Sequence, residues 1–98
     1  MPTVRFTRRA ERDLFEIGQH TLAEWGPRQA ARYLNNLENC CHRLANIPSK
    51  GRPCDEIRPG LRRQEQGRHV IFYRPTPTGI LVTRILHERM LPQHHPFG

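Results

Sequence analysis

A chain of 98 residues leaves room for one domain with a thin core, since folding at this size hides only about 60 to 65% of the surface the unfolded chain exposes. Apolar residues make up 36% of it, and the formal charge of +7 is carried by fifteen Arg with Lys50 as the one Lys. Three cysteines, two of them adjacent (Cys40 and Cys41), exclude a disulfide framework, and no apolar run approaches the roughly 18 residues of a membrane helix.

The opening residues also lack a signal-peptide core, so a cytoplasmic, reducing location is expected, with no membrane contact. The arginine bias points to an interface, because a planar guanidinium pairs bidentately with carboxylate or phosphate. An acidic partner or a nucleic acid fits that charge; the plain alternative is an ordinary solvated basic surface.

In chain order, Thr3 to Phe6 alternates polar and apolar residues and predicts a short strand. From Thr7, a fitting N-cap, Ala10, Leu14, Ile17, Thr21, Leu22 and Trp25 recur at steps of three and four, which predicts a helix with Trp25 as core at its end. Gly26-Pro27 ends it and restarts the chain. A second helix carries Ala30, Leu34, Leu37, Cys41 and Leu44 on one stripe and stops near Ile47-Pro48. Ser49 to Gly60 reads as a loop. Three strands follow, at Leu61 to Glu65, His69 to Arg74 and Ile80 to Leu86 or His87, separated by turns at Gln66-Gly67 and at residues 75–79. The fold class is α+β: a short N-terminal strand, an antiparallel helical hairpin, then a three-stranded antiparallel meander. Residues 1–90 form the single domain, and 91–98 read as a flexible tail.

The last strands are apolar on both faces. Regular alternation sets Val70 and Phe72 against Ile71 and Tyr73, and Val82 and Leu86 against Leu81 and Ile85. The helical hairpin can cover one face, so the other is expected to be covered by a partner or by the tail.

Catalytic chemistry is poorly supported. No Cys-x-x-Cys or His-x-x-x-His pair offers a metal site, and no cofactor-binding motif is present. Ser49, the one serine, lacks a nucleophile elbow. Cleavage of RNA through its own 2′-hydroxyl needs a base, an acid and a cation. His69, Tyr73, Arg62, Arg84 and His87 could gather at one end of the sheet, with His69 or His87 moving protons. Regular alternation puts Arg84 and His87 on opposite faces, which weakens that set.

Several patterns together resemble the RelE/ParE superfamily, and its ParE branch in particular. They are Ala10-x-x-Asp13-Leu14-x-x-Ile17 followed by Trp25-Gly26; Gln29-Ala30-x-x-Tyr33; Leu44 and Pro48 with Gly51; and His69-Val70-Ile71-Phe72-Tyr73-Arg74 followed by Arg84-Ile85-Leu86-His87-x-Arg89-Met90. The resemblance implies a β-α-α-β-β-β toxin of a type II toxin-antitoxin module, of the plasmid stabilisation type. It would inhibit DNA gyrase by binding, with no catalytic residues, metal or cofactor. A ParD-like antitoxin would neutralise it, with two toxins per antitoxin dimer or a larger assembly, and operator DNA would be contacted only through the antitoxin. The alternatives are a RelE-like ribosome-dependent messenger RNA endonuclease and a non-toxic decayed homologue. On this reading Arg58, Arg62, Arg63, Arg84, His87 and Arg89 are the candidates for target contact, and Phe72, Arg74, Val82, Arg84 and Leu86 for antitoxin contact.

Overall fold

The computed structural model describes residues 1–90 and 92–97 of the chain. Strand β1 (Thr3–Phe6) leads into helix α1 (Arg8–Trp25) and helix α2 (Pro27–Asn46), followed by strands β2 (Arg52–Pro53), β3 (Arg62–Gln66), β4 (His69–Thr76) and β5 (Gly79–His87). The strands form one sheet in the order β1-β5-β4-β3-β2. Strand β1 runs parallel to β5, and the other pairings are antiparallel. Among the described residues, no helix is long and apolar enough to cross a membrane.

Local chemistry sets the helix ends. Thr7 Oγ1 accepts the Ala10 N–H at 3.1 Å and donates to Thr83 O at 2.9 Å, so one hydroxyl caps α1 and fastens it to β5. Gly26 takes a positive φ of 87°, which glycine adopts without the Cβ clash of other residues, and Pro27 follows at the first position of α2. The buried stripe of α1 is Ala10, Asp13, Ile17 and Thr21. Trp25, the last residue of α1 at the interhelix turn, is 68% exposed; it is not core as its periodicity suggested. Phe15 and Leu22 are also exposed on α1.

The expected loop 49–60 contains the short strand β2, which pairs with β3 through Arg52↔Arg63 and Pro53↔Arg62. Proline is tolerated there because β2 is the sheet edge. The start of this loop is held by Tyr73, whose hydroxyl donates to Pro48 O at 2.6 Å and accepts from Gly51 N at 2.9 Å. Arg62 adds bonds to Gly51 O at 2.9 Å and Ser49 O at 3.0 Å. At the opposite edge, Gly79 lets β1 come close, since a Cβ there would sit 1.9 Å from Thr3 O.

A bulge in β5 changes which residues share a face. Tyr73 pairs with Val82 and Phe72 with Arg84, leaving Thr83 as the extra residue. Its hydroxyl donates to Phe72 O at 3.2 Å. The bulge shifts the alternation by one, so Val82 and Ile85 share the helix-side core with Ile71, Tyr73 and Ile80, while Leu86 joins Val70 and Phe72 behind the sheet. The grouping of Val82 with Leu86 that regular alternation gave is thus corrected. The second face is covered by Cys54, Leu61 and Phe97, with Ile57 against them. Phe97 comes from the segment read as a tail, of which Leu91 and Gly98 lie outside the described residues.

Candidate functional site

Where β1 ends, the outer edge of β5 continues alone, and an edge N–H there needs an acceptor. Asp13 on α1 supplies it. Its carboxylate accepts Ile85 N–H at 3.0 Å and takes the Arg84 guanidinium in a two-point pair, Nε at 2.7 Å and Nη2 at 2.9 Å. The two side chains are only 11% and 10% exposed, so this pair is largely out of solvent. The remaining Arg84 nitrogen, Nη1, donates to Pro96 O at 2.9 Å.

From this clamp a cleft runs along α1 toward the β3–β4 hairpin, in two parts of about 540 and 480 Å³ that share His20, His69 and His87. Asp13, Arg84 and Met90 line the first part; Trp25, Tyr33 and Arg68 line the second. The His69 and His87 rings stand edge to face at 5.4 Å.

The hydrogen bonds determine what these imidazoles can do. The Tyr33 hydroxyl accepts the Arg68 N–H at 3.0 Å, which leaves its own proton available to His69 Nδ1, 2.6 Å away. Burial pushes the Tyr33 phenol up, which keeps that proton in place. With that proton donated, His69 Nδ1 is the acceptor nitrogen and Nε2 carries the ring proton. His87 is set the same way, because its Nδ1 accepts the Arg89 N–H at 3.1 Å. Burial first, and His87 second, push His69 down to about 4. Among the described residues no group of three or more His, Cys, Asp or Glu is placed to hold a metal ion.

A pH dependence follows. A histidine depressed from 6.5 to about 4 on folding contributes stability that is fully present above the unfolded value and is lost as pH falls through the folded one. Denaturant titrations between pH 7 and pH 4 are expected to show that loss, and His69→Gln is expected to flatten the profile. An unchanged slope in the variant would assign the acid sensitivity to other groups.

The sequence-derived candidates are therefore dispersed. Arg84 and His87, assigned to opposite faces by alternation, both line the first part of the cleft, because Arg84 turns around the free edge of β5 to reach Asp13. Arg62 and Tyr73 are engaged with the 48–51 segment; Tyr73 is four residues along β4 from His69, about 13 Å of strand. Arg63 stacks on Phe72 behind the sheet, its Cζ 5.3 Å from the ring centroid. Arg58 donates to Phe97 O. Arg74 and Arg89 are exposed. Val82 is fully buried in the helix-side core, while Phe72 and Leu86 lie under the C-terminal segment. Sequence reasoning missed Asp13, Tyr33 and His20 as members of the site. The signal for Asp13 was an acid on the apolar stripe of α1, where an unpaired charge is costly.

A sheet of this order under a helical hairpin is a RelE/ParE-like fold. The fold matches the chromosomal ParDE toxin-antitoxin system from P. aeruginosa, with a TM-score of 0.73 and 24% identity over 89% of this chain and 96% of that one. It also matches the RelBE2 toxin-antitoxin complex from Mycobacterium tuberculosis, with a TM-score of 0.67 and 26% identity over 89% and 99% of the two chains. In sequence, Toxin ParE1 of Mycobacterium tuberculosis is 46% identical over 82 residues, 83% of this chain and 84% of that protein. Residues 4–92 match the family described as ParE toxin of the type II toxin-antitoxin system, parDE. The chain belongs to the ParE toxin family.

Proposed function

We propose that this toxin acts in the cytoplasm by binding DNA gyrase and blocking its turnover, and that a ParD-like antitoxin holds it inactive until release. The observation that carries binding over catalysis is the state of the cleft. Both imidazoles have their basic nitrogen occupied, His69 by Tyr33 and His87 by the Arg89 N–H. The guanidinium that lines the first part of the cleft, that of Arg84, is neutralised by Asp13. A general base needs a nitrogen able to take a proton, and a phosphorane needs a cation not already paired. The exposed Arg89 and Arg58, with the half-buried Arg62, Arg63 and His87, then serve target contact. The antitoxin takes the face behind the sheet around Phe72, Arg74 and Leu86, where an acidic segment would meet arginines; Val82 lies on the helix-side face and takes no part.

Purified toxin is expected to inhibit gyrase supercoiling and to accumulate cleaved DNA, with both effects reversed by the antitoxin encoded beside it. Supercoiling untouched at toxin excess, in cells whose growth still stops, would end the gyrase reading. The runner-up, a ribosome-dependent endonuclease, is favoured by the adjacency of His69 and His87 and by the likeness to the RelBE2 complex. Mapping messenger RNA 5′ ends after induction separates the two, and uncut transcripts remove the nuclease.

A further inference from the structure

The face behind the sheet already has an occupant from the same chain. Residues Pro92–His94 form one 3-10 turn, and beyond it Phe97 presses its ring edge-on against Phe72, with centroids 5.0 Å apart at 79°. Two arginines grip consecutive carbonyls of this segment: Arg84 Nη1 holds Pro96 O at 2.9 Å, and Arg58 holds Phe97 O. The ring is 9% exposed.

Two observations mark the fit as provisional. A cleft of about 600 Å³ opens between Pro92, Gln93 and His95 of the segment and the facing Glu56, Ile57 and Arg58, so this flank is loosely packed even though Arg58 reaches Phe97 O. The charge match is also incomplete. Arg58 and Arg74 border the Phe97 site, and Arg63 covers Phe72. Residues 92–97, Pro-Gln-His-His-Pro-Phe, bring them no carboxylate. A guanidinium bound to a carbonyl would be better served by a carboxylate, which forms bonds about twice as strong.

We propose that residues 92–97 are an intramolecular latch, seated where an acidic antitoxin segment carrying an aromatic side chain docks, and that the antitoxin must displace it. The identity of the occupant rests on the antitoxin reading above; the latch itself rests on the contacts of Phe97 and Pro96. The incoming aromatic takes the place of Phe97 over Phe72, and an acidic neighbour takes Arg58 from the Phe97 carbonyl, while Arg84 Nη1 gives up Pro96 O and keeps its pair with Asp13. Apparent affinity is then the intrinsic affinity multiplied by the fraction of toxin with the latch open.

Titration calorimetry with the neighbouring-gene antitoxin tests this on the whole toxin and on Phe97→Ala. The variant is expected to bind about tenfold tighter or more, because a latch open a tenth of the time or less weakens binding by that factor. Equal or weaker affinity overturns the latch while leaving the antitoxin reading intact. Absence of binding to both proteins removes the antitoxin reading and this occupant together. Because Phe97→Ala also uncovers Phe72, hydrogen exchange on the unaltered toxin provides a second measurement. Amides of 92–97 are expected to exchange faster in the complex than in the free protein, while those of β4 are slowed; unchanged or increased protection of 92–97 overturns the proposal. So does a concentration-dependent toxin dimer that Phe97→Ala dissolves, since a second copy would then be the occupant.

Discussion

Replacing Asp13 by Ala is expected to cost about 3 to 5 kcal/mol of folding free energy, the range for removing one partner of a buried ion pair. Three donors converge on this carboxylate: Arg84 Nε at 2.7 Å, Arg84 Nη2 at 2.9 Å and Ile85 N at 3.0 Å. The variant leaves a guanidinium that is 11% exposed without its counter-charge, and an edge N–H without its acceptor. In a domain of this size the loss lowers the melting temperature by roughly 15 to 30 °C. Urea unfolding gives the free energy directly, and Asp13→Asn is expected to fall between the two, since it keeps an acceptor and loses the charge. Asp13→Ala combined with Arg84→Ala is expected to cost clearly less than the sum of the single changes. Additivity within about 0.5 kcal/mol would mean that the pair is not coupled. One functional consequence is that Arg84→Glu, which sets two carboxylates against each other, abolishes toxicity by unfolding the edge of β5.

The helical hairpin was legible because its signals are local. Thr7, Gly26-Pro27 and Ile47-Pro48 bound the helices where capping chemistry and proline geometry say they must, and α1 and α2 span 18 and 20 residues as the apolar periodicity required. The doubly apolar strands were also legible, together with the need for something to cover the second face. Parity within β5 was not. Thr83 is an ordinary strand residue by composition, and nothing local distinguishes a bulge that flips Ile85 and Leu86 relative to Val82. From that slip followed the grouping of Val82 with Phe72 and Leu86 as one antitoxin face. Trp25 failed for a related reason: periodicity fixes a direction around the helix, but burial depends on what lies opposite, and at the interhelix turn a cleft lies there. The site was legible only in part. Arg84 and His87 stood out as residue types, whereas the acceptor of Arg84 lies 71 residues away and that of the Tyr33 hydroxyl proton 36 residues away, separations at which one sequence gives no pairing.

Arg89→Glu is the substitution expected to separate contact from folding. Arg89 is exposed, and its backbone N–H is held by His87 Nδ1 at 3.1 Å, which leaves the fold independent of the side-chain charge. A surface change of this kind alters stability by about 0.5 kcal/mol or less. At a binding interface, loss of a charge partner costs about 2 to 5 kcal/mol, so half-inhibition of gyrase is expected to need at least about 30-fold more toxin. The melting curve should stay where it is, and growth of expressing cells should recover in step with the lost inhibition. Arg89→Lys is expected to retain most activity if the contact reads charge alone, and to lose much of it if the contact is a two-point carboxylate pair. Full gyrase inhibition by a stable Arg89→Glu protein would take Arg89 out of the contact surface. Comparison with Arg84→Glu then gives the discrimination that toxicity alone lacks, because both variants are expected to be harmless to cells and only one of them to remain folded.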